Sequence, residues 1–255
     1  MLKDLTDYLD NLLDLNKFSA DCSNNGLQVQ GNFLVKKAVF AVDACEAVFT
    51  RAAGMHADFV FTHHGLSWNS GIKRITNTVG RRIFVLMKND ISLYAAHLPL
   101  DANDIFGHNA LLADMIDLRD REPFGTYHGM KIGVQGQLPQ PMTLAKIAEK
   151  YEAALPSQGE FRGIGNFGGK VNRVAIVSGG GCWQDVFDEM TQDNVEAYIT
   201  GEINHECWHT ALENGIPVLA LGHYRSETPG VIAIMNSVKE HFQIETEFID
   251  IPTGM

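Results

Sequence analysis

Four histidines and two carboxylates stand where apolar runs end. His63 and His64 follow DFVFT (58–62). His97 opens His97-Leu-Pro-Leu-Asp101 after ISLYAA (91–96). His223 lies in Gly222-His223-Tyr-Arg-Ser-Glu227 after PVLAL (217–221). Imidazole together with carboxylate suits borderline divalent cations such as zinc, iron, manganese or nickel, and no thiolate stands among these residues. His63 and His64 are adjacent, and successive side chains of an extended segment point to opposite faces. One cation does not easily take both. Two cations ~3.5–4 Å apart can, each served by one histidine, joined by a bridging carboxylate and activating a water for hydrolysis. Singly, a histidine is more often a hydrogen-bonded structural residue. Three such features at one predicted sheet edge point to metal.

Other motifs compete. His205-Glu206-Cys207-Trp208-His209 fits H-E-x-x-H on a predicted helix, where two histidines bind zinc and the glutamate is the base. Its longer form fails, with Leu212 where a glycine belongs and Gly215 where a third histidine belongs. Glu227 as a distant third ligand would strand His223, so the expectation is a surface His205 and a His209 packed near the sheet edge. Ser178-Gly-Gly-Gly-Cys182 lies between a predicted strand and helix and reads equally as an anion cradle or as a tight turn with close backbone packing. Trp68 could stack on a flat ring, although packing is the commoner role. Lys73, Arg74, Arg81, Arg82 and Lys88 form the densest basic stretch and read as a solvated helix face, slightly ahead of an anion-steering role.

The elements that must position these residues alternate. Leu2, Leu5, Leu9, Leu12 and Leu13 recur at helical spacing, and a polar loop with Asn24, Asn25 and Gly26 follows. Strands are predicted at 38–42, 58–62, 91–96, 131–135, 173–177, 197–200, 217–221 and 244–250. Helices are predicted at 44–53 (closed by Gly54), 76–89, 108–116, 143–155, 183–192, 203–213 and 227–241. A turn-rich stretch precedes 131, and the Gly-rich stretch 159–169 reads as an irregular loop. Apolar strands alternating with amphipathic helices give an α/β class: two similar α/β halves around mostly parallel sheets, with the metal site at the strand C-terminal ends. The halves, 1–128 and 129–255, are expected to form one intertwined unit without a linker or inserted domain.

Composition bounds the rest. Of 255 residues, 45% are hydrophobic, which excludes a disordered chain, and no apolar run approaches the ~20 residues of a membrane span. The segment MLKDLTDYLDNLLDL is acidic and helical rather than a signal peptide, so a cytoplasmic location is expected. Cys22, Cys45, Cys182 and Cys207 are scattered and form no CxxC pair, which reads as four buried free thiols. A net charge of −11 disfavours nucleic acid as a partner.

The set NNGLQV (24–29), FTHHGLSW (61–68), ISLYAAHLPLD (91–101), VSGGG (177–181), TGE (200–202) and GHYRSETPG (222–230) resembles the YbgI/YqfO (Nif-three-like) family, GTP cyclohydrolase 1 type 2-like dinuclear metal-centre proteins. The likeness covers nearly the whole chain, in the family's order. It implies a toroidal homohexamer with two divalent metal ions per chain, held by His63, His64, Asp101, His223 and Glu227, with Glu227 bridging. His97 matches a position close to that centre, which implies either a catalytic role or a place just behind the ligands. His209 also matches a position seen in relatives, whereas His205 and Glu206 do not. Asn69 stands where relatives often carry a basic residue, which removes one expected substrate contact. The function implied is a metal-dependent hydrolase acting on a nucleotide or cyclic amide, a small anionic or polar-ring substrate. The alternative is a non-catalytic metal-handling or scaffold protein, separable by whether coordination positions stay open.

Overall fold

The structure is a computed structural model that describes residues 1–156 and 160–255, and it divides into two compact units. The first takes Met1–Leu100 and Gly230–Ile251, and the second takes Asp101–Pro229 and Pro252–Met255.

The first unit opens with helix α1 (Leu2–Leu12), whose Leu2, Leu5 and Leu9 are buried as the leucine spacing predicts. The polar loop that follows contains a short strand, β1 (Gly26–Val29), which its polar composition does not announce. Then come β2 (Lys37–Asp43), α2 (Glu46–Gly54), β3 (Phe59–His64), α3 (Asn77–Lys88) and β4 (Ser92–Ala95). Strand β3 runs two residues further than expected, so both adjacent histidines are residues of the sheet. A four-residue helix, α4 (Leu98–Asp101), leads across the unit boundary.

The second unit continues with α5 (His108–Met115) and two long strands, β5 (Arg119–Tyr127) and β6 (Met130–Thr143). Here the turn-rich expectation needs correction, because β5 and β6 form an antiparallel hairpin with Tyr127 opposite Met130. Its two turn residues, His128 and Gly129, both have positive φ, the backbone a tight hairpin requires. The strand pattern is hidden because β5 is an edge strand with its first five residues exposed, where Pro123 costs no sheet bond.

Next follow α6 (Leu144–Ala154), β7 (Arg162–Ile164), β8 (Lys170–Val177), α7 (Gln184–Gln192), β9 (Ala197–Thr200), α8 (His205–Glu213), β10 (Val218–Ala220) and the single turn α9 (His223–Ser226). The Gly-rich stretch thus holds a short edge strand at 162–164, while Gly159 lies outside the described residues. Among the described residues the strand order is β5-β6-β8-β9-β10-β7, with a parallel centre β8-β9-β10 and antiparallel neighbours on both sides. Val174, Ile176, Ile199 and Leu219 of that centre pack with Ile147, Tyr151 and Leu112, and fully burying each such side chain is worth about 1.5–3 kcal/mol.

Helix α10 (Thr228–Phe242) and β11 (Glu245–Phe248) return the chain to the first unit. Its sheet has the order β1-β4-β3-β2-β11, parallel throughout except at the β1 edge. One face is filled by Val39, Val60 and Leu93 against Val48, Phe49 and Leu86. Parallel pairing puts the ends of β2, β3 and β4 at one edge, and the ends of β8, β9 and β10 likewise share an edge of the second sheet. In open α/β sheets that edge is where ligands bind.

Candidate metal centre

At the C-terminal edge of the first sheet, His63, His64 and His97 each bring a ring nitrogen within 4.8 Å of the others. His63 is fully buried, and its Nδ1 lies 3.0 Å from the Ala96 carbonyl oxygen on the neighbouring strand's end. Sheet register places Asp43 opposite His64, and the Asp43 carboxylate sits 2.9 Å from His64 Nδ1. His97 Nδ1 lies 2.9 Å from Asp21, whose carboxylate is fully buried. Burial pushes the Asp21 carboxyl up, but its bonds to His97, Asn25 and the Ser23 amide outweigh this and hold it below the usual range. All three imidazoles are therefore gripped at Nδ1 by an oxygen acceptor, which sets the Nδ1–H tautomer and leaves Nε2 as the lone-pair nitrogen. Metal-binding histidines are held in this way. The two neighbouring rings stand 4.6 Å apart at 53°, so at the end of β3 they converge instead of pointing to opposite faces as the alternation of an extended segment predicts.

Trp68 is half-buried beside this cluster. Its indole N–H donates to the Gly65 carbonyl at 2.9 Å, and its ring meets His97 edge-on at 5.0 Å. It packs the histidines.

The second unit carries the remaining expected residues. Asp101 is buried and accepts a hydrogen bond from Ser178 Oγ at 2.9 Å, and one of its oxygens lies within 4.8 Å of a His108 ring nitrogen. Asn109 donates to the Asp101 carbonyl at 3.2 Å and accepts from the Ser178 amide at 2.7 Å, tying α4, α5 and the loop after β8 together. His223 and Glu227 lie four residues apart across α9, with Nε2 to Oε1 at 3.2 Å, and Glu202 stands 3.4 Å from Nδ1. Burial lowers the His223 pKa, but the two carboxylates outweigh it and push it up to about 9. Glu227 and Glu202 thus create a field that favours positive charge where His223 sits, and Glu227 is almost fully buried there. Histidine nitrogens and carboxylate oxygens, backed by acceptors at the far side of each ring, are a donor set that fits a divalent cation.

The Gly-rich loop after β8 is explained by close packing. At Gly179, with φ +59°, an added Cβ would lie 2.0 Å from Glu227 Oε1, and its amide already donates to Ser226 Oγ at 2.9 Å. At Gly181 a Cβ would meet Thr200 and Val177 at 2.6 Å. The loop lets the backbone approach Glu227, and the tight-turn reading accounts for it.

Elsewhere the sequence expectations need adjustment. His205, Glu206 and His209 are all exposed on α8, so His209 does not pack against the sheet edge, and none joins a candidate ligand group among the described residues. Cys182 and Cys207 are buried, whereas Cys22 and Cys45 are only half-buried. Burial and their mutual hydrogen bond push the Cys182 thiol up, so it stays protonated. Arg81 pairs with Glu46 at 3.0 Å on an exposed helix, as a solvated face would.

Sequence reasoning passed over Asp21, Asp43, Glu202, His108 and Asn109. Asp43 and Glu202 carried usable signals, since Asp43 follows a predicted strand as the histidines do and Glu202 closes the TGE motif (200–202) after another. Asp21, His108 and Asn109 declare themselves only through tertiary placement.

The chain is 44% identical over 255 residues to a GTP cyclohydrolase 1 type 2 homolog of Archaeoglobus fulgidus, covering 100% of this chain and 99% of that one. Among solved structures it is similar to the protein ybgI (TM-score 0.88, 32% identity, 99% of each chain). It is also similar to TTHA1606 of Thermus thermophilus (TM-score 0.86, 36% identity, 99% of each chain). The Duf34/NIF3 (NGG1p interacting factor 3) description matches residues 1–254, and the chain belongs to that family.

Proposed function

We propose that this chain is a metal-dependent hydrolase that uses two divalent cations, held by His63, His64, Asp101, His223 and Glu227, to act on a nucleotide or cyclic amide. The observation that carries the reading is the trio His63, His64 and His97, with ring nitrogens within 4.8 Å and every Nδ1 anchored on an oxygen. Three imidazoles preset as lone-pair donors at one sheet edge serve no packing purpose that apolar residues would not serve better. The name carried by the Archaeoglobus fulgidus relative points to the same chemistry.

When bound, such cations supply Lewis acidity and a water nucleophile at neutral pH. The chain's own groups do the rest. Glu227 would help to hold both cations through its carboxylate. Asp101 is held in one orientation by Ser178. His97 Nε2 takes and returns the proton of the hydrolytic step. Two cations would bring +4 against −2 from Asp101 and Glu227, but Asp21, Asp43 and Glu202 stand close behind His97, His64 and His223, so the small anionic or polar-ring substrate of this reading rests on the resemblance and not on net charge alone. No helix among the described residues is long and apolar enough to cross a membrane. The toroidal homohexamer and the cytoplasmic location are part of the same proposal, the former resting on the family resemblance alone.

Elemental analysis of wild type and Glu227→Ala, side by side, tests the ligand set. About two equivalents per chain are expected in wild type and fewer than half of that in the variant. One equivalent or less, unchanged by the substitution, removes the dinuclear reading. Loaded protein that hydrolyses no nucleotide or cyclic amide, and whose metal exchanges rapidly with chelators, is a metal-handling protein instead.

A further inference from the structure

Behind His97 lies an arrangement that the proposed ligand set does not use. Asp21 follows the short helical turn at Leu15–Phe18, and its carboxylate is fully buried. Four donors converge on it. Oδ1 accepts from His97 Nδ1 at 2.9 Å and from the Ser23 amide at 2.9 Å, while Oδ2 accepts from the Leu98 amide at 3.0 Å and Asn25 Nδ2 at 2.8 Å. Asn25 in turn accepts from the His97 amide at 2.8 Å. One carboxylate and one carboxamide therefore fix the ring of His97, its backbone and the backbone of the next residue. Trp68 closes another side of the same ring at 5.0 Å.

The contrast with the neighbouring rings is informative. His63 leans on a neutral carbonyl and His64 on Asp43, which is 35% exposed. Of the three, only His97 is backed by a carboxylate with no solvent access, where the charge–dipole contact is not diluted by water. A histidine oriented by a buried carboxylate is the arrangement that holds an imidazole in one tautomer for proton transfer in hydrolases on unrelated folds.

We infer that Asp21, with Asn25, is the positioning residue for His97: it locks the Nδ1–H tautomer and so makes Nε2 the proton-transferring atom of the centre. This rests on the hydrolase reading for its consequence, while the geometry stands on the first unit alone. Without Asp21, the ring loses its acceptor, the Nε2–H tautomer of free imidazole gains population, and the lone pair turns away from the work.

The test is two-bond proton–nitrogen NMR of the His97 ring in the full-length, zinc-loaded protein, assigned by its absence in His97→Ala. Wild type is expected to show the Nδ1-protonated pattern, and Asp21→Ala a shift toward the Nε2-protonated one. Asp21→Asn, which keeps the size and loses half the acceptors, supplies the comparison if Asp21→Ala does not fold. Zinc content of the same samples is expected to stay at the wild-type level. Once a hydrolysed substrate is in hand, Asp21→Asn should lower kcat by roughly 10²-fold or more with KM little changed. An Nε2-protonated His97 in wild type overturns the inference, as does an unchanged spectrum in the variants or zinc loss without a tautomer change. A wild type that binds no metal yet shows the expected tautomer would sink the hydrolase reading and leave the clamp standing.

Discussion

Gly179 shows how narrowly single residues are specified around the carboxylate proposed to bridge. Its φ of +59° is a left-handed conformation, and a Cβ there would stand 2.0 Å from Glu227 Oε1. Gly180, its neighbour, has no left-handed φ, and a Cβ there would make only ordinary contacts, 3.5 Å from Glu202 and 3.8 Å from the His223 ring. The two substitutions separate backbone strain from loop mutation in general. Gly179→Ala should cost about 1–3 kcal/mol in chemical denaturation and lower the metal content, because Glu227 must move. Gly180→Ala should leave stability within about 0.5 kcal/mol of wild type and metal content unchanged. Equal behaviour of the two would mean that the approach of residue 179 to Glu227 is not what the loop is built for.

Elements, rather than residues, decide how the second sheet's edge is held. Glu189 on α7 accepts from the Gly125 and Thr126 amides at 2.9 Å each and pairs with Lys131 at 2.6 Å, fastening the β5–β6 hairpin. Burial pushes this carboxyl up, but Lys131 and the two amides outweigh it and hold the pKa below its usual value. A depressed carboxyl stabilises the fold fully above its unfolded pKa of about 4.3, and the contribution fades as pH falls through the lower folded value. Glu189→Gln should therefore lose about 1–2 kcal/mol at pH 7, and urea titrations of the two proteins should converge as pH falls through the depressed folded pKa. A gap that persists at low pH would assign the effect to shape rather than charge. The same hairpin marks the limit of what the sequence discloses. The parallel strands were legible because burial on both faces makes them apolar runs such as FVFT, and the ligand candidates were legible because they follow those runs. Strand β5 was not, since an edge strand with its first five residues exposed carries no apolar alternation. Nor was the grip on the histidines: Asp43 meets His64 through sheet register, and Asp21 reaches His97 across 76 positions of chain.

At the scale of the molecule, the chain passes between its two compact units three times, after Leu100, Pro229 and Ile251, and each unit has its own sheet and core. His63 and His64 belong to the first unit, and Asp101, His223 and Glu227 to the second. If these five hold cations as proposed, metal binding adds its free energy to the stability of both units. Linkage gives about 2.7 kcal/mol at a free metal concentration 100 times Kd. For a chain of this size each kcal/mol shifts Tm by ~2–4 °C. Removing metal with a chelator should therefore lower Tm by ~5–10 °C, and restoring it should recover the loss. Glu227→Ala should start near the stripped value and respond weakly to added metal. The proposed homohexamer gives a parallel check by light scattering, with a mass six times 28.2 kDa expected. Ile75, Phe84 and Met87, all more than half exposed along and just before α3, are the apolar side chains to substitute first should the mass be large. Scattering and melting read different things, since assembly can raise Tm without metal. A hexamer whose melting ignores chelator would keep the assembly and discard the cations, whereas a metal-dependent melt in a monomer would do the reverse.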